Sequence, residues 1–132
     1  MGPLVADASA LIGFIAAGRD ATPFDPYLEP TAELHVPEVC DVEVVSAIRR
    51  SLRRGAIGVD QARVILVTYA EMPLRRHRHF PLLARMFDLR DNFAASDASY
   101  VALAEMLGAR LVTADAHLAR AVADHTEVVC VP

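Results

Sequence analysis

Residues 2–18 read GPLVADASALIGFIAAG, and this stretch decides the class of fold. A short apolar run at 4–7 stands between Gly2-Pro3 and Ser9, which suits a buried strand handing over directly to a helix. Ser9 is the expected N-cap, 10–17 the helix and Gly18 its stop. The same alternation continues outward. Strands are predicted at 33–36, 110–113 and 127–131, with a weaker one at 72–77. Helices are predicted from Pro37, at the first helical position, to about residue 54, and at 59–71, 81–89, 94–107 and 115–123. Val45, Ile48 and Leu52 carry the apolar face of the first, and Ala62, Ile65, Leu66 and Tyr69 that of the second. Gly108 is a C-cap candidate, and the proline-punctuated 21–30 (ATPFDPYLEP) permits at most a short helical turn. Parallel strands need crossover connections. The expectation is therefore an α/β protein, a three-layer α/β/α sandwich around a mainly parallel central sheet, in a single domain over 1–132.

With 132 residues, 54% of them hydrophobic, the chain is long enough to build an apolar core without disulfides or a structural metal. Cys40 and Cys130 lie far apart among apolar neighbours and read as reduced core residues of a cytoplasmic protein. The start lacks a basic, cleavable leader, and no apolar run approaches the ~18 residues that span a bilayer, so no membrane partner is expected. All 13 basic residues are arginine. Without lysine there is no P-loop, no Schiff-base amine and no lysine-paired phosphoacceptor aspartate.

Four of the 17 acidic residues resist explanation by solvation. Asp7 ends the first apolar strand and Asp115 follows the strand LVTA, which puts both at carboxyl ends of core strands, where α/β sheets bind ligands. Asp97 shares a helical face with Tyr100, Val101, Ala104 and Leu107, and Glu43 is enclosed by Val42, Val44 and Val45. Each alone has a plain reading: Asp7 and Asp115 as helix caps, Asp97 as a first-turn acid, Glu43 as an exposed helix residue. Together they repel. Carboxylates within about 4 to 6 Å of one another do not all stay ionised without a cation, and an all-oxygen pocket suits a hard ion such as Mg²⁺ or Mn²⁺.

VADASAL, PEVCDVEVVSAIRR, NFAASDASYVALAE and LVTADAHLA, in that order and over nearly the whole chain, resemble the PIN-domain ribonucleases, and among them the VapC-type toxins of bacterial toxin-antitoxin pairs. The resemblance implies a PIN-like fold and a Mg²⁺- or Mn²⁺-dependent endoribonuclease. Its acidic positions fall on Asp7, Glu43, Asp97 and Asp115, with Asp7, Asp97 and Asp115 as metal ligands and Glu43 as ligand or water-orienting base. Ser9 and Thr113 match supporting hydroxyl positions. The implied partners are an RNA substrate, a VapB-type antitoxin and a second copy of the chain. Products would carry a 5′-phosphate and a 3′-hydroxyl.

A net charge of −4 opposes nucleic-acid binding, but setting aside the four pocket acids leaves 13 acidic residues against 13 arginines. The arginines are clustered. Arg49 and Arg50, with Arg53 and Arg54, close one helix, and Arg75, Arg76 and Arg78 form a second group with His77 and His79; both clusters are candidate RNA contacts, the first equally a solvated helix end. His77 and His79 lack further spaced ligands and are not read as a metal pair, and His117 reads as a helix-surface residue. Segments 11–14 and 59–69 are candidate partner surfaces, with ordinary core as the alternative. Two other functions remain open at this point: a PIN-like nuclease of RNA processing or acting on DNA, and a non-catalytic α/β binding domain whose acids are caps.

Overall fold

The computed structural model describes residues 2–18 and 33–132. The expectation for 21–30 lies outside them. In chain order the elements are β1 (Leu4–Ala6), α1 (Ala8–Ala17), β2 (Leu34–Pro37), α2 (Val39–Arg53), α3 (Val59–Glu71) and β3 (Arg75–His77). A 3₁₀ turn (Phe80–Leu82) then leads to α4 (Leu83–Asp88), α5 (Ala95–Leu107), β4 (Arg110–Thr113), α6 (Ala116–Val122) and β5 (Val128–Cys130).

The five strands form one parallel sheet in the order β3-β2-β1-β4-β5. Leu4 is in register with Leu34 on one side and Arg110 on the other. Side chains alternate between faces along a strand, yet all of β1 is buried, so helices cover both faces. Helices α1, α2 and α3 pack on one another, while α5 lies on β1, β2 and β4 with α4 against it. Leu4, Leu11, Leu103 and Leu111 are fully buried between these layers, each contributing about 1.5–3 kcal/mol. This is the expected three-layer α/β class.

Strand order decides where a site can form. The chain runs outward from β1 through β2 to β3, then returns to β4 on the other side of β1 and continues to β5. The crevice beyond the carboxyl ends of β1 and β4 is thus the topological switch point, where crossovers diverge and leave the strand ends uncovered.

Several local expectations need correction. Asp7, not Ser9, caps α1: its carboxylate accepts from the Ala10 N–H, and the helix begins at Ala8. Pro37 ends β2 instead of opening α2. The helix expected over 81–89 splits into the 3₁₀ turn and the six-residue α4. The buried stripe of α2 is Cys40, Val44 and Ile48, with Leu52 partly buried against the core, so Ile48 and Leu52 hold as expected but Val44 takes the place of Val45, which is exposed. Leu66 is exposed too, because α3 buries only Ala62, Ile65 and Tyr69. Cys130 ends an edge strand and is exposed, whereas Cys40 is buried as expected. For Val45, Leu66 and Cys130 the apolar residues outnumber the positions a single-faced contact can cover.

Candidate active site

A cavity of about 290 Å³ opens at the switch point, and Asp7, Glu43, Asp97 and Asp115 all line it. Asp7 leaves β1 and caps α1; Asp115 follows β4 and caps α6, its Oδ1 accepting from the His117 and Leu118 N–H groups at 2.9 and 3.1 Å. Both cap readings therefore hold. They also explain the placement, since a cap side chain turns back over its helix N-terminus, here toward the crevice. Glu43 comes from α2 on a stripe with Ala47 and Arg50, which line the cavity with it. That stripe runs beside the core stripe. Glu43 is accordingly half-buried by its own helix face and not by Val42 and Val45, which point to solvent. Asp97 sits in the first turn of α5 and Tyr100 one turn on, both facing the cavity.

Hydroxyls fasten the two strand ends together. Ser9 Oγ donates to Asp7 Oδ1 at 2.7 Å, and Thr113 Oγ1 donates to Asp7 Oδ2. Ser9 Oγ accepts from the Ala114 N–H and Thr113 Oγ1 from the Asp115 N–H, each at 3.0 Å. A hydroxyl has one proton, and both protons are committed to Asp7, so the 3.3 Å approach of the two hydroxyl oxygens is a contact without a proton of its own. The network orients Asp7 as an anion.

The surroundings oppose that charge. Burial pushes the Asp7 carboxyl above its ordinary pKa, the hydrogen bonds from Ser9, Thr113 and the Ala10 N–H pull it down, and the Asp115 charge adds to the rise. Asp97 is raised by burial and then by the charges of Asp115 and Asp7. Glu43 is raised by burial, restrained by a 2.6 Å hydrogen bond from the Tyr100 hydroxyl, and pushed further by Asp97 and Asp7. Asp115 is exposed, which corrects its reading as an acid that solvation does not explain; Asp7 is buried, and Glu43 and Asp97 are half-buried. The cavity thus concentrates hard oxygen donors whose repulsion favours a cation, and the donor set fits Mg²⁺ or Mn²⁺. Among the described residues no three Asp, Glu, His or Cys side chains are grouped closely enough to hold an ion as they stand.

The arginines separate. Arg50 lines the cavity; Arg49 and Arg78 are exposed and do not. Arg75 pairs with Glu33 at 3.5 Å and Arg76 with Asp41 at 3.0 Å, so both are tied to the β3 edge of the sheet. His77 Nε2 lies 2.7 Å from His35 Nδ1, and His79 Nε2 accepts the Val39 N–H at the start of α2, which spends both histidines on structure. In segment 11–14 Leu11 is buried, while Ile12, on the cavity wall, and Phe14 are partly exposed and pack against the core. On α3, Val59, Val64, Leu66 and Val67 are exposed. Sequence reasoning missed the Tyr100 hydroxyl as a site group, although its spacing of three from Asp97 on one helix face was the available signal.

The PIN domain family matches residues 4–123. Ribonuclease VapC9 of Mycobacterium tuberculosis is 37% identical over 115 residues, 87% of each chain. Ribonuclease VapC3 of the same organism is 39% identical over 119 residues, 89% of this chain and 86% of the relative. Among solved structures, one from Pyrobaculum aerophilum superposes with a TM-score of 0.74 at 22% identity over 97% of this chain and 84% of that one. VapBC2 from Rickettsia felis, solved with a DNA fragment from its promoter, gives 0.70 at 12% identity over 98% of both chains. The structural likenesses speak to the fold, and the sequence matches to descent: the chain belongs to the PIN domain family, alongside the VapC ribonucleases.

Proposed function

We propose that this chain is a Mg²⁺- or Mn²⁺-dependent endoribonuclease that acts in the cytoplasm as the toxin of a toxin-antitoxin pair, with 1–132 as one catalytic domain. The observation that carries the reading is the meeting of Asp7, Glu43, Asp97 and Asp115, from four different helix starts and faces, in one cavity at the switch point. Capping accounts for Asp7 and Asp115 separately, but gives no reason for Glu43 and Asp97 to face them. Similarity to proteins named VapC ribonucleases supports RNA as the substrate class and a VapB-type antitoxin as partner.

Asp7, Asp97 and Asp115 would hold the ion, with Glu43 as a further ligand or as the base that orients the attacking water. When bound, the ion supplies neutralising charge, Lewis acidity toward the scissile phosphate and a more acidic water. The remaining work falls to the chain itself. Ser9 and Thr113 hold Asp7 in one rotamer, so the carboxylate is set before substrate arrives. Arg50, at the cavity wall, offers a forked donor to a phosphate oxygen of the RNA. The exposed valines of α2 and α3, Val42, Val45, Val59, Val64 and Val67, offer apolar area for the antitoxin or for a homodimer contact.

The test is cleavage of total RNA with mapped ends. Wild type is expected to cut only with Mg²⁺ or Mn²⁺ and to leave 5′-phosphate and 3′-hydroxyl ends, and Asp97→Asn to lose at least a hundredfold in rate. Cleavage that persists in chelator, or in Asp97→Asn at the wild-type rate, removes the assignment.

A further inference from the structure

Tyr100 is 1% exposed, with its ring buried in the core, and its hydroxyl reaches Glu43 Oε1 at 2.6 Å on the cavity wall. The ring belongs to α5 and the carboxylate to α2, so this hydrogen bond ties the two helices that deliver Asp97 and Glu43. The phenol also meets the thiol of buried Cys40, which neighbours the Tyr69 hydroxyl too. Tyr69 in turn donates to Asp41 Oδ1 at 2.7 Å, and Arg76 clasps Asp41 at 3.0 Å from β3. The backing of Glu43 therefore runs through packed side chains to the sheet edge. Burial, then Cys40 and Glu43, push the Tyr100 phenol far above its ordinary pKa, so it is a permanent donor that neither adds nor removes charge at the site. Asp7 has two hydroxyls to fix it; Glu43, on a long side chain facing an open cavity, has this buried phenol as its stronger partner, with the Ser96 hydroxyl beside it.

We infer that Tyr100 is a positioning residue for the proposed nuclease: its hydroxyl holds Glu43 Oε1 from behind and leaves Oε2 as the oxygen presented to the cavity, at a fixed separation from Asp97. This rests on the functional reading above. A carboxylate freed to swing would spend most of its time out of place, and small misplacements of catalytic groups cost large factors in rate.

The experiment is a double-mutant cycle of Tyr100→Phe and Glu43→Gln, read by RNA cleavage and by the Mn²⁺-induced rise in melting temperature. Tyr100→Phe keeps the ring, and its metal-free melting curve checks that it folds. The expected result is a fall in kcat of about tenfold or more with KM for RNA unchanged. Half-maximal thermal stabilisation should need severalfold more Mn²⁺, and the substitution should have no further effect on either readout in Glu43→Gln. Equal effects in both backgrounds make Tyr100 a packing residue and overturn the inference, as does wild-type kcat in a folded Tyr100→Phe. A wild type that neither cleaves RNA nor responds to Mn²⁺ instead overturns the reading beneath it, and the positioning role with it.

Discussion

Asp7 serves as helix cap and as cavity carboxylate at once, and the cost of that double use is visible in its pKa. A carboxyl raised in the folded state holds its proton more tightly folded than unfolded. Its favourable contribution is present below the unfolded value of about 4 and is lost as pH rises through the folded value. Asp7, Glu43 and Asp97 all shift this way, with burial as the leading cause. Asp97→Asn, which removes one of the four carboxylates of the cavity and its repulsion with Asp115 and Asp7, should therefore melt higher than metal-free wild type at pH 7.5. That advantage should shrink as pH falls toward 4, and calorimetry of both proteins across the range checks it. A constant difference would mean that the charge on Asp97 is not opposed by its surroundings. Thr113→Val removes a buried hydroxyl that both donates to Asp7 and accepts from the Asp115 N–H. Its expected cost is about 1–3 kcal/mol in chemical denaturation, beyond what an isosteric swap of apolar groups produces.

Helix α2 shows what elements add to residues. Its three stripes serve three purposes: Cys40, Val44 and Ile48 pack in the core, Glu43, Ala47 and Arg50 wall the cavity, and Val42 and Val45 face solvent. Its N-terminus is closed by His79, whose ring nitrogen accepts the Val39 N–H at 3.0 Å. His79→Ala should accordingly lower stability by about 1 kcal/mol. RNA binding should be unchanged; weaker RNA binding with an unchanged melting curve would return His79 to a nucleic-acid surface. The elements themselves were legible because period and punctuation agree: α3 occupies the expected 59–71 and β4 the expected 110–113. Phase was less legible. Where nearly every position of VCDVEVVSAI is apolar or small, helical periodicity has several equally good settings, and tertiary contact selects among them. Asp7 and Ser9 are both good caps, and the choice between them follows from Thr113, 106 positions away.

At the scale of the whole molecule, Asp7 and Asp115 were legible because each follows a strand and Asp97 because it opens a helix, whereas Glu43, inside α2, was marked by its apolar neighbours, and the segregation of the arginines was not legible at all. Arg75 and Arg76 find Glu33 and Asp41 only once β3 lies beside β2. Arg50→Gln should weaken RNA binding and lower the dependence of binding on salt by about one counterion, measured by titration at several ionic strengths, whereas Arg75→Gln should leave that slope nearly unchanged. The reverse ranking would move the RNA path to the sheet edge. Everything functional depends on the crevice beyond β1 and β4 acting as a divalent-cation site. The direct measurement is a Mn²⁺ titration followed by the electron paramagnetic resonance signal of free Mn²⁺. Wild type should remove the ion from solution with saturation, and Asp97→Asn and Asp115→Asn should bind it at least tenfold more weakly. Undiminished free Mn²⁺ in the presence of wild type, or equal binding by all three proteins, would contradict the account.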